Sequence, residues 1–69
     1  MIIKKRFKDE EQDRVISFVE AIDFIGASCN GGKVEAELKL SNSNKNKRVK
    51  TGFAEYWIED KEATKNEGF

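Results

Sequence analysis

The sequence predicts a small α+β fold of β-α-β-β order: a three-stranded sheet with one amphipathic helix packed on one face. Three observations point to it. Residues 9–26 repeat apolar side chains at helical spacing, residues 33–41 alternate with a period of two, and residues 48–60 are rich in aromatic and β-branched types.

Residues 1–8 read as the first strand, with Ile3, Lys5 and Phe7 alternating against Lys4, Arg6 and Lys8. The helix of 9–26 follows. Val15, Phe18, Val19, Ile22 and Ile25 line one side of it, and Ile16 widens that stripe. Asp9 stands at the N-cap with Gln12 three residues on, the spacing of a capping box. Glu10, Glu11 and Asp13 place negative charge in the first turn, where the helix macrodipole favours it. Gly26 and the turn-prone Ser28, Cys29, Asn30, Gly31 and Gly32 end the helix. Phe24 falls outside the stripe, roughly opposite Val15. A single exposed aromatic is an ordinary surface feature; contact with a partner chain is the functional alternative.

The second strand is expected at 33–41, where Val34, Ala36, Leu38 and Leu40 face one way and Glu35, Glu37 and Lys39 the other. A helical crossover makes the first two strands parallel if they are neighbours. Residues 41–47, SNSNKNK, have no apolar anchor and read as a mobile loop. Residues 48–60 read as the third strand, with Gly52 at a bulge; the rival is a second helix capped by Thr51, whose stripe Asp60 would break. In the strand, Val49, Phe53 and Trp57 share one face and Ala54, Tyr56 and Ile58 the other. One helix covers only one face, so aromatic surface is left over for an interface. The domain is expected to span 1–60, with 61–69 a frayed polar tail on which Phe69 offers a docking point.

Composition bounds the function. A 69-residue chain buries only about 60% of its unfolded surface. One cysteine and no histidine leave neither an intrachain disulfide nor a Cys/His zinc set to staple it. Stability then comes from an efficient core or from oligomerisation, a homodimer being one expectation. The chain starts without the apolar h-region of a secretory signal, contains no membrane-spanning run, and carries a lone thiol; a soluble cytoplasmic protein is expected.

Motifs of catalysis are lacking. Residues 26–33 superficially resemble a phosphate-binding loop, but an extra glycine precedes Lys33, Val34 replaces the metal-binding hydroxyl, and the segment follows a helix. Cys29 has no histidine to act as its base, and is read as a structural thiol. Glu35 and Glu37 project to one side of the expected strand as a carboxylate pair, but nothing in the local sequence suggests a pocket around them. No cofactor, no metal and no enzymatic activity are expected.

The thirteen basic and thirteen acidic residues cancel but are segregated. The leading expectation is a non-enzymatic protein-interaction module, an inhibitor or regulator of a larger nucleic-acid-handling protein, with an interface at Phe24, Phe53, Tyr56, Trp57, Ile58, Glu59 and Asp60. There the aromatics anchor and the acids engage a basic surface. The alternative is a small single-strand or non-specific nucleic-acid binder, in which Lys45, Lys47, Arg48 and Lys50 track phosphates and Trp57 stacks on bases. Zero net charge weighs against it. In size and composition, with no matched motif, the chain resembles accessory proteins of phages and mobile elements that bind host machinery.

Overall fold

The computed structural model of the chain describes residues 1–60. The order of elements is β1 (Ile3–Phe7), β2 (Arg14–Ile16), α1 (Phe18–Gly26), α2 (Gly32–Ser41), β3 (Val49–Lys50) and β4 (Ala54–Ile58). The four strands form one sheet in the order β2-β1-β4-β3, antiparallel throughout. The α+β class therefore stands, with four strands and two helices where three and one were expected. The expected tail, 61–69 with Phe69, lies outside the described residues.

The central ladder joins the two ends of the described chain. Ile3 pairs with Ile58, Lys5 with Tyr56 and Phe7 with Ala54. Because side chains alternate across a strand, these six point to one face of the sheet. Both helices pack on that face: Ala21, Ile22 and Ile25 of α1 and Ala36 and Leu40 of α2 join Ile3, Ala54, Tyr56 and Ile58 in the core. Trp57 projects from the opposite face, between its neighbours Lys4 on β1 and Arg48 beside β4.

The expected helix of 9–26 is only half a helix. Residues 8–13 form a turn and 14–16 a strand, and α1 begins after Ser17. The Ser17 hydroxyl accepts from the Glu20 N–H at 3.0 Å, so the true cap is Ser17-x-x-Glu20 and not Asp9-x-x-Gln12. The acidic residues that seemed to complement a helix dipole instead tie the β1–β2 hairpin: Asp13 pairs with Arg6 at 2.7 Å and Glu10 with Arg14 at 2.9 Å. Val15 and Ile16 are β-branched and take the strand geometry that suits them. What survives in α1 is the stripe Phe18, Ala21, Ile22, Ile25, while Val15 and Val19 are exposed.

The second correction is larger. Residues 33–41, expected as a strand, are helix α2. Strict alternation also places residues four apart on one helix face, and Ala36 and Leu40 alone are buried while Val34 and Leu38 are exposed. Glu, Ala, Leu and Lys are good helix formers and Glu, Lys and Ala poor strand formers, which outweighs the pattern. Glu35 accepts from the Gly31 N–H at 2.8 Å and pairs with Lys39 at 3.2 Å, fastening the first turn. The helices meet in a tight corner. Gly32 has φ +63°, and a Cβ on Gly26 would lie 3.2 Å from the Gly32 carbonyl carbon.

The polar loop is anchored after all, by hydrogen bonds in place of apolar side chains. Buried Ser43 donates to the Leu40 carbonyl at 2.6 Å and accepts from the Ile58 N–H at 3.3 Å. Buried Asn44 accepts from the N–H groups of Asn46 and Lys47 at 2.8 and 2.9 Å. Residues 48–60 are a hairpin and not one bulged strand. Thr51 closes the turn, its hydroxyl accepting from the Ala54 N–H at 3.2 Å. That turn breaks the expected alternation: Val49 pairs with Tyr56 on the helix side, whereas Trp57 faces away.

Two substitutions test this packing. Leu40→Ala should lower unfolding free energy by about 2–5 kcal/mol, because it opens a cavity between α2 and β4. Ser43→Ala should cost about 1–3 kcal/mol by leaving the Ile58 N–H without an acceptor. Urea unfolding followed by Trp57 fluorescence reads both, and a midpoint unchanged by either refutes the packing described.

Candidate functional site

The site forms where the open end of the helical layer exposes the sheet. Lys5 lies on the helix-facing side of β1, in phase with Ile3 and Phe7, and its residue is 6% exposed. Across the ladders its neighbours are Arg14 and Tyr56. Phe24 reaches over from the last turns of α1 and stacks on Tyr56 with ring centroids 6.5 Å apart. The Lys5 Nζ is thereby held 3.7 Å from the Phe24 ring centre, 4.2 Å from Phe7 and 5.4 Å from Tyr56. Three rings thus lie within cation–π range of one ammonium.

A cleft of about 440 Å³ opens on this ammonium. Phe7 and Tyr56 floor it, Phe24 and Ser28 wall it from the α1 end, and Thr51 and Phe53 wall it from the β3–β4 turn. Lys8 and Asp9 stand at its side. Phe53 is fixed there through its carbonyl, which accepts from the Lys8 N–H at 3.0 Å and prolongs the β1–β4 ladder. Phe53 is 77% exposed and Phe24 44%.

Lys5 makes no hydrogen bond or ion pair with the described residues beyond these ring contacts. Every sealed side-chain polar atom among those residues has a partner, so Nζ, which has none, is not fully sealed, and Lys5 lines the cleft. Most of the side chain is enclosed. Burial pulls the ammonium below its ordinary pKa; Glu20 opposes the shift from beyond ion-pair distance and Arg14 adds to it. Burial also pushes the Tyr56 phenol up, with Glu20 contributing.

Of the residues expected to form an interface, Phe24, Phe53 and Tyr56 come together here. The others do not. Ile58 belongs to the core, and Trp57 is 0% exposed on the far face with the Arg48 guanidinium 3.8 Å above its ring. Glu59 accepts from the Trp57 indole N–H at 2.6 Å, and Asp60 accepts from the Ile2 N–H at 2.9 Å and lies 3.7 Å from the terminal ammonium. The acids expected to steer a basic partner are thus engaged within the chain. Lys5 was missed, although a lysine in phase with two apolar residues was the available signal.

The basic run is divided. Lys47, Arg48 and Lys50 line a second cleft of about 350 Å³, joined by Lys39 from α2. Lys45 is not among its lining residues; its carbonyl accepts from the Arg48 Nε at 2.9 Å. Arg48 also pairs with Glu55 at 3.2 Å. Trp57, sealed beneath Arg48, is not available to stack on a base. Among the described residues no three His, Cys, Asp or Glu gather as a metal site, and no helix is long and apolar enough to cross a membrane. Cys29 packs half-buried against the core.

Four carboxylates are held below their ordinary range: Glu10 by Arg14, Asp13 by Arg6, Glu35 by the Gly31 N–H and Lys39, and Asp60 by the Ile2 N–H. The unfolded chain therefore binds protons first on acidification. Their contribution is complete above the unfolded values near ~4 and is lost as pH falls through the lower folded values. Urea midpoints measured from about pH 5 to about pH 2 should fall, and Asp13→Asn should make that fall shallower. An equally steep fall in the variant would exclude the Arg6–Asp13 pair as a contributor.

Compared with protein-family models, curated proteins and solved structures, the chain matches none.

Proposed function

We propose that the chain is a non-enzymatic protein-interaction module that holds its partner in the cleft between Phe24 and Phe53, acting as a regulator or inhibitor of a larger protein. One observation carries the reading: two large aromatic side chains from different elements stand exposed at the mouth of one cleft, above a ring-lined floor. Exposed aromatics lower the solubility of a small domain unless something covers them, and aromatic anchors seated in concave sites carry much of the energy of interfaces. Chemistry is poorly provided for: the cleft is lined by two lysines, Lys5 and Lys8, and one carboxylate, Asp9, while the chain has no histidine and Cys29 lies elsewhere.

A second reading rests on the cleft of Lys39, Lys47 and Lys50, whose cations suit a phosphate backbone. It ranks lower, since its expected stacking residue, Trp57, is sealed. Oligonucleotide binding that weakens steeply between about 50 and 200 mM salt, and further in Lys47→Ala, would raise it above the first.

The primary reading is tested by panning a random displayed-peptide library against the folded chain. Peptides that bind should lose about tenfold or more in affinity with Phe53→Ala, whose ring is largely in water and whose loss leaves the core intact. Phe24→Ala should act in the same direction. A library that yields no binder, or binders indifferent to both substitutions, overturns the proposal.

A further inference from the structure

We infer that the group recognised in this cleft is a carboxylate: an Asp or Glu side chain of the partner, flanked by an apolar residue, that seats on the Lys5 ammonium. The inference rests on the docking reading above and names the partner's chemistry. Rings stabilise an ammonium through their quadrupoles, but they accept no hydrogen bond of ordinary strength and carry no net charge. Lys5 therefore retains three N–H donors and a full charge with no acceptor among the described residues, although its stem is enclosed. Its fixed neighbours do not balance it. Glu20 acts only from a distance, Arg14 is bonded to Glu10, and Lys8 at the cleft side offsets Asp9.

A cation in the cleft would meet like charge, and a neutral acceptor would leave the charge of the ammonium unbalanced. A carboxylate supplies both an acceptor and the missing charge, at a site where apolar walls strengthen the attraction. The walls also define what stands beside it. Phe24 and Phe53 line the same cleft as Lys5 and both are exposed, so an apolar residue next to the acid gains contact on them. The lining has no arginine fork, and Asp9 offsets one of its two ammonium groups, which suits a singly charged carboxylate better than a phosphate dianion.

The test uses two tripeptides, acetyl-Phe-Glu-Phe-amide and acetyl-Phe-Gln-Phe-amide, titrated into the full chain and followed by NMR of labelled lysine and phenylalanine. The Glu peptide should shift the Lys5 Cε resonance and bind about tenfold more tightly than the Gln peptide. Lys5→Met should abolish that preference, and Lys5→Arg should retain it. If Lys5→Met does not fold, the comparison of the two peptides on the unaltered chain decides alone. Equal affinities, with both peptides moving the Phe24 and Phe53 signals, overturn the carboxylate and leave the docking cleft standing. Failure of either peptide to move those signals overturns the carboxylate inference and counts against the cleft as well.

Discussion

The antiparallel pairing of β1 with β4 is the contact on which the rest of the molecule depends. It sets residue 3 against residue 58 and residue 7 against residue 54, so the fold closes only when the two ends of the described chain have met. Each central strand carries its own hairpin partner outward, β2 on one edge and β3 on the other. Neither hairpin alone has a face large enough to be stable in water. Joined, they present Ile3, Tyr56, Ile58 and Ala54 as one surface for the helices. Such distant pairing makes closure entropically costly, so folding should be slow for a chain of this size.

The same ladder builds the cleft. Lys5 stands beside Tyr56 only in this register; a shift of one residue would turn Lys5 to the outer face and bring Lys4 inward. The Lys8–Phe53 hydrogen bond continues the ladder beyond β1 and fixes where the β3–β4 turn stands relative to the α1 end. Phe24 then closes the third side. Four elements distant in sequence thus converge on one ammonium, and the convergence follows from topology, with no local motif behind it.

This explains what could be read in advance. The stripe Phe18, Ile22, Ile25 and the strand character of Tyr56, Trp57 and Ile58 were legible because each follows from side-chain spacing within one element. Phe24, Phe53 and Tyr56 were legible as interface candidates because aromatics outnumbered the faces available to cover them. The boundary at Ser17 was not, because two capping patterns, Asp9 with Gln12 and Ser17 with Glu20, compete on paper. The second is reinforced only when Arg6 and Arg14 draw Asp13 and Glu10 into the hairpin. Helix α2 was misread because its alternation fits a strand and a helix buried only at Ala36 and Leu40 equally well. Trp57 was assigned to the wrong role because Arg48, which covers it, was read as a phosphate contact of the basic run.

Lys5 sits where stability and recognition pull in opposite directions. Its neighbours on the strand face are Ile3 and Phe7, and a leucine or methionine there would fill the same space without desolvating a charge. The surrounding rings recover part of that cost, each by about 0.5–2 kcal/mol depending on how dry the contact is. They do so without neutralising the ammonium. A carboxylate from within the chain would have stabilised the fold more, but it would also have occupied the donors that now face the cleft. The acids of this domain are placed otherwise: Glu10 on Arg14, Asp13 on Arg6, Glu55 on Arg48, Asp60 on the terminus. Intramolecular pairing thus engages much of the acidic surface, while the Lys5 ammonium, enclosed by aromatic rings, is left without an acceptor among the described residues.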